Sequence, residues 1–292
     1  MQLKGKKALI TGGAKRLGYY TALALAKEGA DIILHYNTSI KAAENVLKKL
    51  ESLGSEVRLV QQDFSKLDNY QDFLEDVHST AGNIDILINS ASIFERDTAE
   101  EASYESLDRN MTVNAYIPFL LTQALYKVIK QNPEEGTKEQ PEVNPPDSEV
   151  HESVKSYKTE IVTEAAYGAG SSGNTRAAVI NFLDTRIASD DSAHFSYHAS
   201  KRLFHTLTKQ AALKFAPELR VNAIAPGLIL PPVGEGVEYL KKRTHWNILN
   251  TYGNEKDITD AVVFLLKSRF ISGQVLYVDG GQHLKGALYG NA

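Results

Sequence analysis

The stretch KKALITGGAKRLG, residues 6–18, carries a short apolar run into a glycine-rich turn and out into YYTALALAKEGA, whose apolar residues recur at helical spacing. Strand, glycine turn and helix in that order form the context in which backbone N–H groups at a helix start bind a pyrophosphate. Within the turn, TGGAKRLG at 11–18, Gly12 and Gly18 keep the tight bend and the close helix approach, while Arg16 takes the place of a middle glycine. An arginine brings a fixed cation with a planar donor fork, suited to phosphate oxygens. Thr11, Gly12, Arg16, Leu17 and Gly18 are the first candidate cofactor residues.

Six more short, β-branched runs follow: ADIILHY, EVRLVQQD, IDILINS, AAVINFL, LRVNAIAP and QVLYVDG. Near-continuous apolar strands separated by amphipathic segments such as IKAAENVLKKLESLG predict a parallel sheet buried on both faces. The expected fold is therefore α/β, a single doubly wound Rossmann-type domain of about seven strands spanning 1–292. One stretch stands apart. Residues 132–175 hold nine acidic residues, three lysines and four of the nine prolines, and end in a Gly/Ser run. That composition cannot bury enough apolar surface to fold alone, so it reads as an acidic insertion into the domain, with SYKTEIVTEAAY able to form a short helix or strand.

Composition narrows the function. With 42% hydrophobic and 23% charged residues the chain is ordinary globular material. A net charge of −4 argues against a nucleic-acid surface. The absence of cysteine excludes disulfides, thiolate catalysis and cysteine-based zinc sites. No run approaches the roughly 20 apolar residues of a membrane span, and the N-terminus alternates like a strand, so a soluble cytoplasmic protein is expected.

The end of the second run tests the nucleotide. An NAD site usually places an acid there to hold the ribose 2′-hydroxyl. Here HYNTSIK offers His35, Tyr36, Asn37, Thr38, Ser39 and Lys41, donors without a carboxylate. A 2′-phosphate is accepted instead of repelled, and NADP(H) is the expected cofactor. Ser39 or Thr38 also suits the N-cap of the next helix.

Distant residues then fall into one pattern. TGGAKRLG, Asp63 and Phe64 in QQDFS, NSAS at 89–92, Asn114 in VNAYIP, Tyr197 and Lys201 in YHASK, PGL at 226–228 and the final VDGG together resemble the short-chain dehydrogenase/reductase family. The resemblance covers nearly the whole chain apart from 132–175. It implies cofactor contacts from Asp63, Phe64, Asn89, Ala91, Tyr197, Lys201, Pro226, Gly227 and Leu228, and a homotetramer to which the tail KGALYGNA contributes. It also implies that Lys201 holds the nicotinamide ribose and that Asn114 holds a water in a proton relay. The chemistry is sensible residue by residue. A reductase must deliver a proton, and a tyrosine with pKa about 10 is a reluctant donor partner near neutrality. Lys201 lies four residues on, on the same helix face, where its charge can lower that pKa.

The departures from the family's usual pattern are informative. Thirteen residues before Tyr197, where a serine usually stands, this chain has Asp184. A partly buried carboxyl group can donate a proton to a ring nitrogen, which suits a C=N heterocycle better than a ketone. A loop of the form TGxxxRxG is similar to that of the pteridine reductases and dihydromonapterin reductases, which also carry aspartate at this place. Ser92 and Phe94 in NSASIF match a further feature of that branch. The resemblance implies that the aromatic ring sandwiches a flat pterin against the nicotinamide, while Ser92 and Arg16 contact ligand and cofactor phosphate. Two positions depart from that branch: NSAS replaces the common NNAG, and Asn37, Thr38 and Ser39 stand where His-Arg-Ser is frequent. The segment 228–249 is expected to be a short, proline-stiffened substrate loop in which His245 and Trp246 could line the pocket.

The sequence thus predicts an NADPH-dependent reductase of a pterin-like substrate, with Asp184, Tyr197, Lys201 and Asn114 as catalytic residues and Arg16, Ser92, Phe94, Asp184 and Tyr197 against the substrate. No metal, nucleic-acid or membrane partner is expected. Two other readings stay open: a carbonyl reductase of the same fold acting on a 3-oxoacyl or other ketone, and a noncatalytic NADP-binding interaction protein that docks through the insertion.

Overall fold

A computed structural model of the chain describes residues 1–67, 69–132 and 175–285. The insertion expected at 132–175, apart from its two end residues, and all but the first residue of the tail lie outside the described residues. The seven expected strands are present and form one parallel sheet: β1 (Lys7–Thr11), β2 (Asp31–Tyr36), β3 (Val57–Gln61), β4 (Ile86–Asn89), β5 (Ala177–Phe182), β6 (Leu219–Pro226) and β7 (Val275–Val278). Their order across the sheet is β3-β2-β1-β4-β5-β6-β7.

Burial explains why the strands were legible as apolar runs. All residues of β4 and β5 are buried, whereas the edge strands β3 and β7 are only partly covered. Successive side chains point to opposite faces. Ala8 and Ile10 of β1 therefore enter one core with α1 (Arg16–Lys27), α2 (Ile40–Ser52) and α8 (Glu255–Lys267), while Leu9 enters the other. That second core is covered by α3 (Tyr70–Ala81), α5 (Ile117–Gln131) and α6 (Phe195–Lys214), with the short α4 (Tyr104–Met111) packed on α6.

Strand order reverses between β1 and β4, and in an open parallel sheet ligands bind outside the strand ends at such a switch point. Between α4 and α5, residues Thr112–Tyr116 form a π-helical turn that carries Asn114. The expected proline-stiffened loop at 228–249 is in fact partly helical, with α7 at Val237–Lys241 and a 3-10 turn at Thr244–Trp246. None of the described helices is long and apolar enough to cross a membrane.

Candidate active site

A cleft of about 870 Å³ opens along the C-terminal ends of the strands. The glycine turn closes one end of it. A Cβ built on Gly12 would stand 2.8 Å from Ala91 Cα, so only glycine lets β1 and the loop after β4 come this close. Arg16 adopts φ 51°, the left-handed backbone that a glycine takes without strain. Its Nη1 donates to the Pro231 carbonyl at 3.0 Å, which ties the turn to the segment after β6.

Gly12, Arg16 and Leu17 line the cleft with Tyr36, Asn37, Ser39, Asp63, Phe64, Ala91, Pro226, Gly227 and Leu228. Ser39 occupies the N-cap position of α2 without a side-chain capping bond, and its residue borders the cleft instead. Asp63 turns back on its own chain, accepting from Ser65 Oγ at 2.7 Å and Ser65 N at 3.0 Å. These bonds hold its carboxyl below the usual range. Sequence reasoning passed over Lys15, an exposed residue of the turn that also lines the cleft. With Lys15 and Arg16 at the start of α1 and no carboxylate from Tyr36 to Ser39, this end fits the phosphates of a dinucleotide, an additional ribose phosphate included.

Other expected contacts lie beneath the cleft rather than along it. Thr11 Oγ1 is buried and accepts from Ser90 N and Ala91 N at 3.0 and 3.1 Å. Asn89 is buried between strands and helix, donating to Asn181 Oδ1 at 2.8 Å. Gly18 packs under Gly12, and Thr38 is exposed away from the lining. His35 is not a phosphate donor: Gly12 N donates to its Nδ1 at 3.1 Å, its Nε2 donates to the Gln62 carbonyl at 2.9 Å, and its ring stacks on Phe64 at 4.1 Å. Burial drives the His35 pKa down to about 4, so the ring is neutral and braces the glycine turn.

At the other end, α6 presents Tyr197 and Lys201 one turn apart. Asp97 steadies the start of this helix from the loop after Phe94, accepting from Ser196 N at 3.0 Å and from the Ser196 hydroxyl. The Tyr197 hydroxyl donates to Asp184 Oδ2 at 2.8 Å. Burial, then the charge and bond of Asp184, push the phenol pKa well above its ordinary 10. The lowering expected from Lys201 is thus reversed, first by burial of the phenol and then by the carboxylate that faces it in place of a neutral hydroxyl. Lys201 is buried and donates to the Phe182 carbonyl at 2.9 Å, and burial lowers its pKa to about 8 against the opposing pull of Asp184.

Asn114 does not reach the cleft lining. Its side chain is fully buried, donating to the Ile93 carbonyl and Ser200 Oγ at 3.0 Å each and accepting from Ser92 Oγ and Ile93 N at 2.9 Å each. It therefore anchors the Ser92–Phe94 loop to α6, a role that its position in a π-helical turn makes geometrically possible. Phe94 stands at the cleft with half of its surface open, 53% exposed, one of the larger exposed aromatics in the protein. It meets the Tyr197 ring edge-on at 4.7 Å and stacks on His194 at 4.4 Å. Trp246 lines the cleft as expected, joined by Tyr239, while His245 is not among the lining residues.

Sequence reasoning also missed Arg186, Asp191 and His194. Arg186 Nη1 donates to Asp191 Oδ2 at 2.6 Å, and His194 Nδ1 lies 3.1 Å from the same oxygen. No periodicity marks these residues, which sit in a 3-10 turn (Thr185–Ala188) and the loop after it, between β5 and α6; only their closeness to Asp184 in the chain could have drawn notice.

Comparisons with known proteins agree with this geometry. A family profile described as short chain dehydrogenase matches residues 6–137, and one described as Enoyl-(Acyl carrier protein) reductase matches residues 160–283. The chain is similar to the dihydromonapterin reductase of Escherichia coli O6:K15:H31, 25% identical over 277 residues that cover 95% of this chain and 96% of that protein. Its structure is similar to FolM alternative dihydrofolate reductase 1 from Brucella canis complexed with NADP, with TM-score 0.76, 25% identity, and 97% of this chain and 96% of that one covered. The Brucella suis protein of the same name, also in complex with NADP, gives TM-score 0.77 at 25% identity, with 97% of each chain covered. With both profiles falling on the one seven-stranded sheet and its cleft, the chain belongs to the short-chain dehydrogenase/reductase family.

Proposed function

We propose that the chain reduces a pteridine at the expense of NADPH. The chain is an NADP(H)-dependent oxidoreductase, in keeping with the NADP-bound Brucella structures and with a cleft end that carries cations and no 2′-hydroxyl acid. The observation that carries the substrate reading is the Asp184–Tyr197 pair, hydrogen-bonded at 2.8 Å beside the exposed Phe94 ring. A flat heterocycle can lie on that ring, and the pair can protonate a ring nitrogen. The similarity to dihydromonapterin reductases supports the same substrate class.

Bound NADPH supplies the hydride. Gly12, Arg16, Leu17, Tyr36, Asn37 and Ser39 would hold its phosphates, and Lys201 its nicotinamide ribose. Tyr197 Oη and Asp184 Oδ2 share the proton that is delivered. Tyr197 keeps its proton because it is buried and faces a carboxylate, so it reaches the reaction as an acid. Giving that proton away adds a second negative charge to the pair, which the neighbouring Lys201 offsets. Asn114 supports the site by fixing the Ser92–Phe94 loop against α6. A homotetramer is part of the same proposal, from the family resemblance.

Replacing Asp184 by serine tests the substrate class. Asp184→Ser is expected to lower kcat/KM for a dihydropterin by about a hundredfold, the size of effect seen when one preorganised charge-stabilising group is lost. NADPH affinity should change by less than a factor of about two, since the residues that would hold its phosphates lie at the other end of the cleft from Asp184. An unchanged dihydropterin rate in Asp184→Ser would remove the reason for reading the site as a ring-nitrogen protonation site.

A further inference from the structure

Three arginines line the cleft, and their side chains are committed differently. Arg16 reaches the Pro231 carbonyl. Arg109 is closed off by Glu95, with Nε at 3.2 Å and Nη2 at 2.8 Å from its carboxylate oxygens. Arg186 is held at a single nitrogen, by Asp191 at 2.6 Å, and its Nε stands 3.9 Å from Asp184 Oδ1. The same carboxylate oxygen accepts from the Arg186 backbone N at 2.9 Å. The His198 ring holds the Arg186 carbonyl at 3.0 Å, so the residue is fixed at backbone and side chain alike.

Arg186 also touches the aromatic wall. Its guanidinium carbon is 5.1 Å from the centre of the Phe94 ring, and the His194 ring is stacked on Phe94 at 4.4 Å. Arg186 Nη1 and His194 Nδ1 are 3.1 Å apart. That contact is too short for the two groups to lie on opposite faces of Phe94. Both therefore lie on the same side of the Phe94 ring, which is still 53% exposed. Asp191 is the anchor: burial would raise its carboxyl, yet the Ala193 N–H, Arg186 and His194 together hold it below the usual range. Asp191 is thus a carboxylate at neutral pH and can hold the guanidinium.

We propose that Arg186, clamped by Asp191, is a positioning residue of the reduction: it fixes Asp184 in register with Tyr197, backs Phe94, and stabilises the second negative charge that the Asp184–Tyr197 pair gains when the proton departs. Its cation acts through Asp184 and does not need to touch substrate. The inference rests on the proton-delivering role of that pair, and it holds for whichever substrate the enzyme reduces.

A double-mutant cycle between Arg186 and Asp184 tests it. Arg186→Met is expected to lower kcat by about tenfold to a hundredfold, as for other preorganised charges that face a developing anion. The Kd of NADPH should stay within a factor of about two, and Arg186→Lys, which keeps the charge, should recover part of kcat. In an Asp184→Ser background the same Arg186→Met change should cost less than about threefold, because its partner is gone. Asp191→Asn, which leaves the arginine in place without its clamp, should give an intermediate loss and serves should Arg186→Met fold poorly. Full additivity in the cycle, or parallel loss of NADPH binding, overturns the proposal. The cycle is run on a dihydropterin, or on a ketone if only a ketone is reduced, so failure of the pteridine reading and failure of this inference give different results.

Discussion

Arg16 sits in the left-handed backbone region at φ 51°, where an arginine costs about 1–2 kcal/mol relative to the right-handed conformation and glycine costs nothing. A strained residue at the mouth of a binding cleft points to a function for its side chain. The strain and the side chain can be separated: Arg16→Gly should stabilise the fold by about 1 kcal/mol in urea unfolding while raising the Kd of NADPH at least about tenfold. A variant that is neither more stable nor weaker in binding would show that Arg16 is merely tolerated. Arg16, Asp184, Tyr197 and Lys201 were all legible in the sequence because each stands at a fixed place in a motif. Arg186 was not, since what gives it meaning is Phe94, far away in the chain and brought beside it only by the fold.

The elements were legible for a similar reason. Buried parallel strands are continuous apolar runs, and all seven were marked by their composition alone. What composition did not give was the face each residue takes. His35 was read as a donor at the ribose end, but in β2 it shares the face of Ile33, two residues before it, and so enters the core against Phe64. This burial has a pH signature. The folded-state pKa of His35, about 4, is below its ordinary 6.5, so the unfolded chain binds the proton first as pH falls. Stability from this group is intact above about pH 6.5 and is lost progressively toward pH 4, with about 2 kcal/mol gone by pH 5. Urea unfolding at pH 7.5 and 5 should therefore show a difference between the two pH values that shrinks by about 2 kcal/mol in His35→Asn. An identical pH dependence in the variant would mean that the imidazole is not held neutral beneath the glycine turn.

Across the whole molecule, the parallel sheet separates two ends. The cleft lies at the C-terminal ends of the strands, whereas the acidic stretch 132–175 begins at the end of α5 and ends just before β5, so its two roots lie at the opposite end. Arg176 joins its two roots, donating to the Asn132 carbonyl at 2.6 Å and to the Ile129 carbonyl. Replacing residues 134–172 by a short flexible linker should leave kcat/KM for NADPH-dependent reduction within a factor of about two of the full chain. A large loss of turnover would place the insertion in the catalytic unit, and intact turnover with loss of a binding partner would give it a docking role. Residues 132–175 stood out by acid and proline content, yet the placement of the two flanking residues, Asn132 and Thr175, away from the cleft followed only from sheet topology. The most direct test of the central claim is NADPH oxidation by the wild-type enzyme with dihydromonapterin, dihydrobiopterin and dihydrofolate, beside a panel of simple ketones. Turnover of at least one dihydropterin, well above every ketone, is the predicted result; turnover of a ketone with none of the pterins would contradict it.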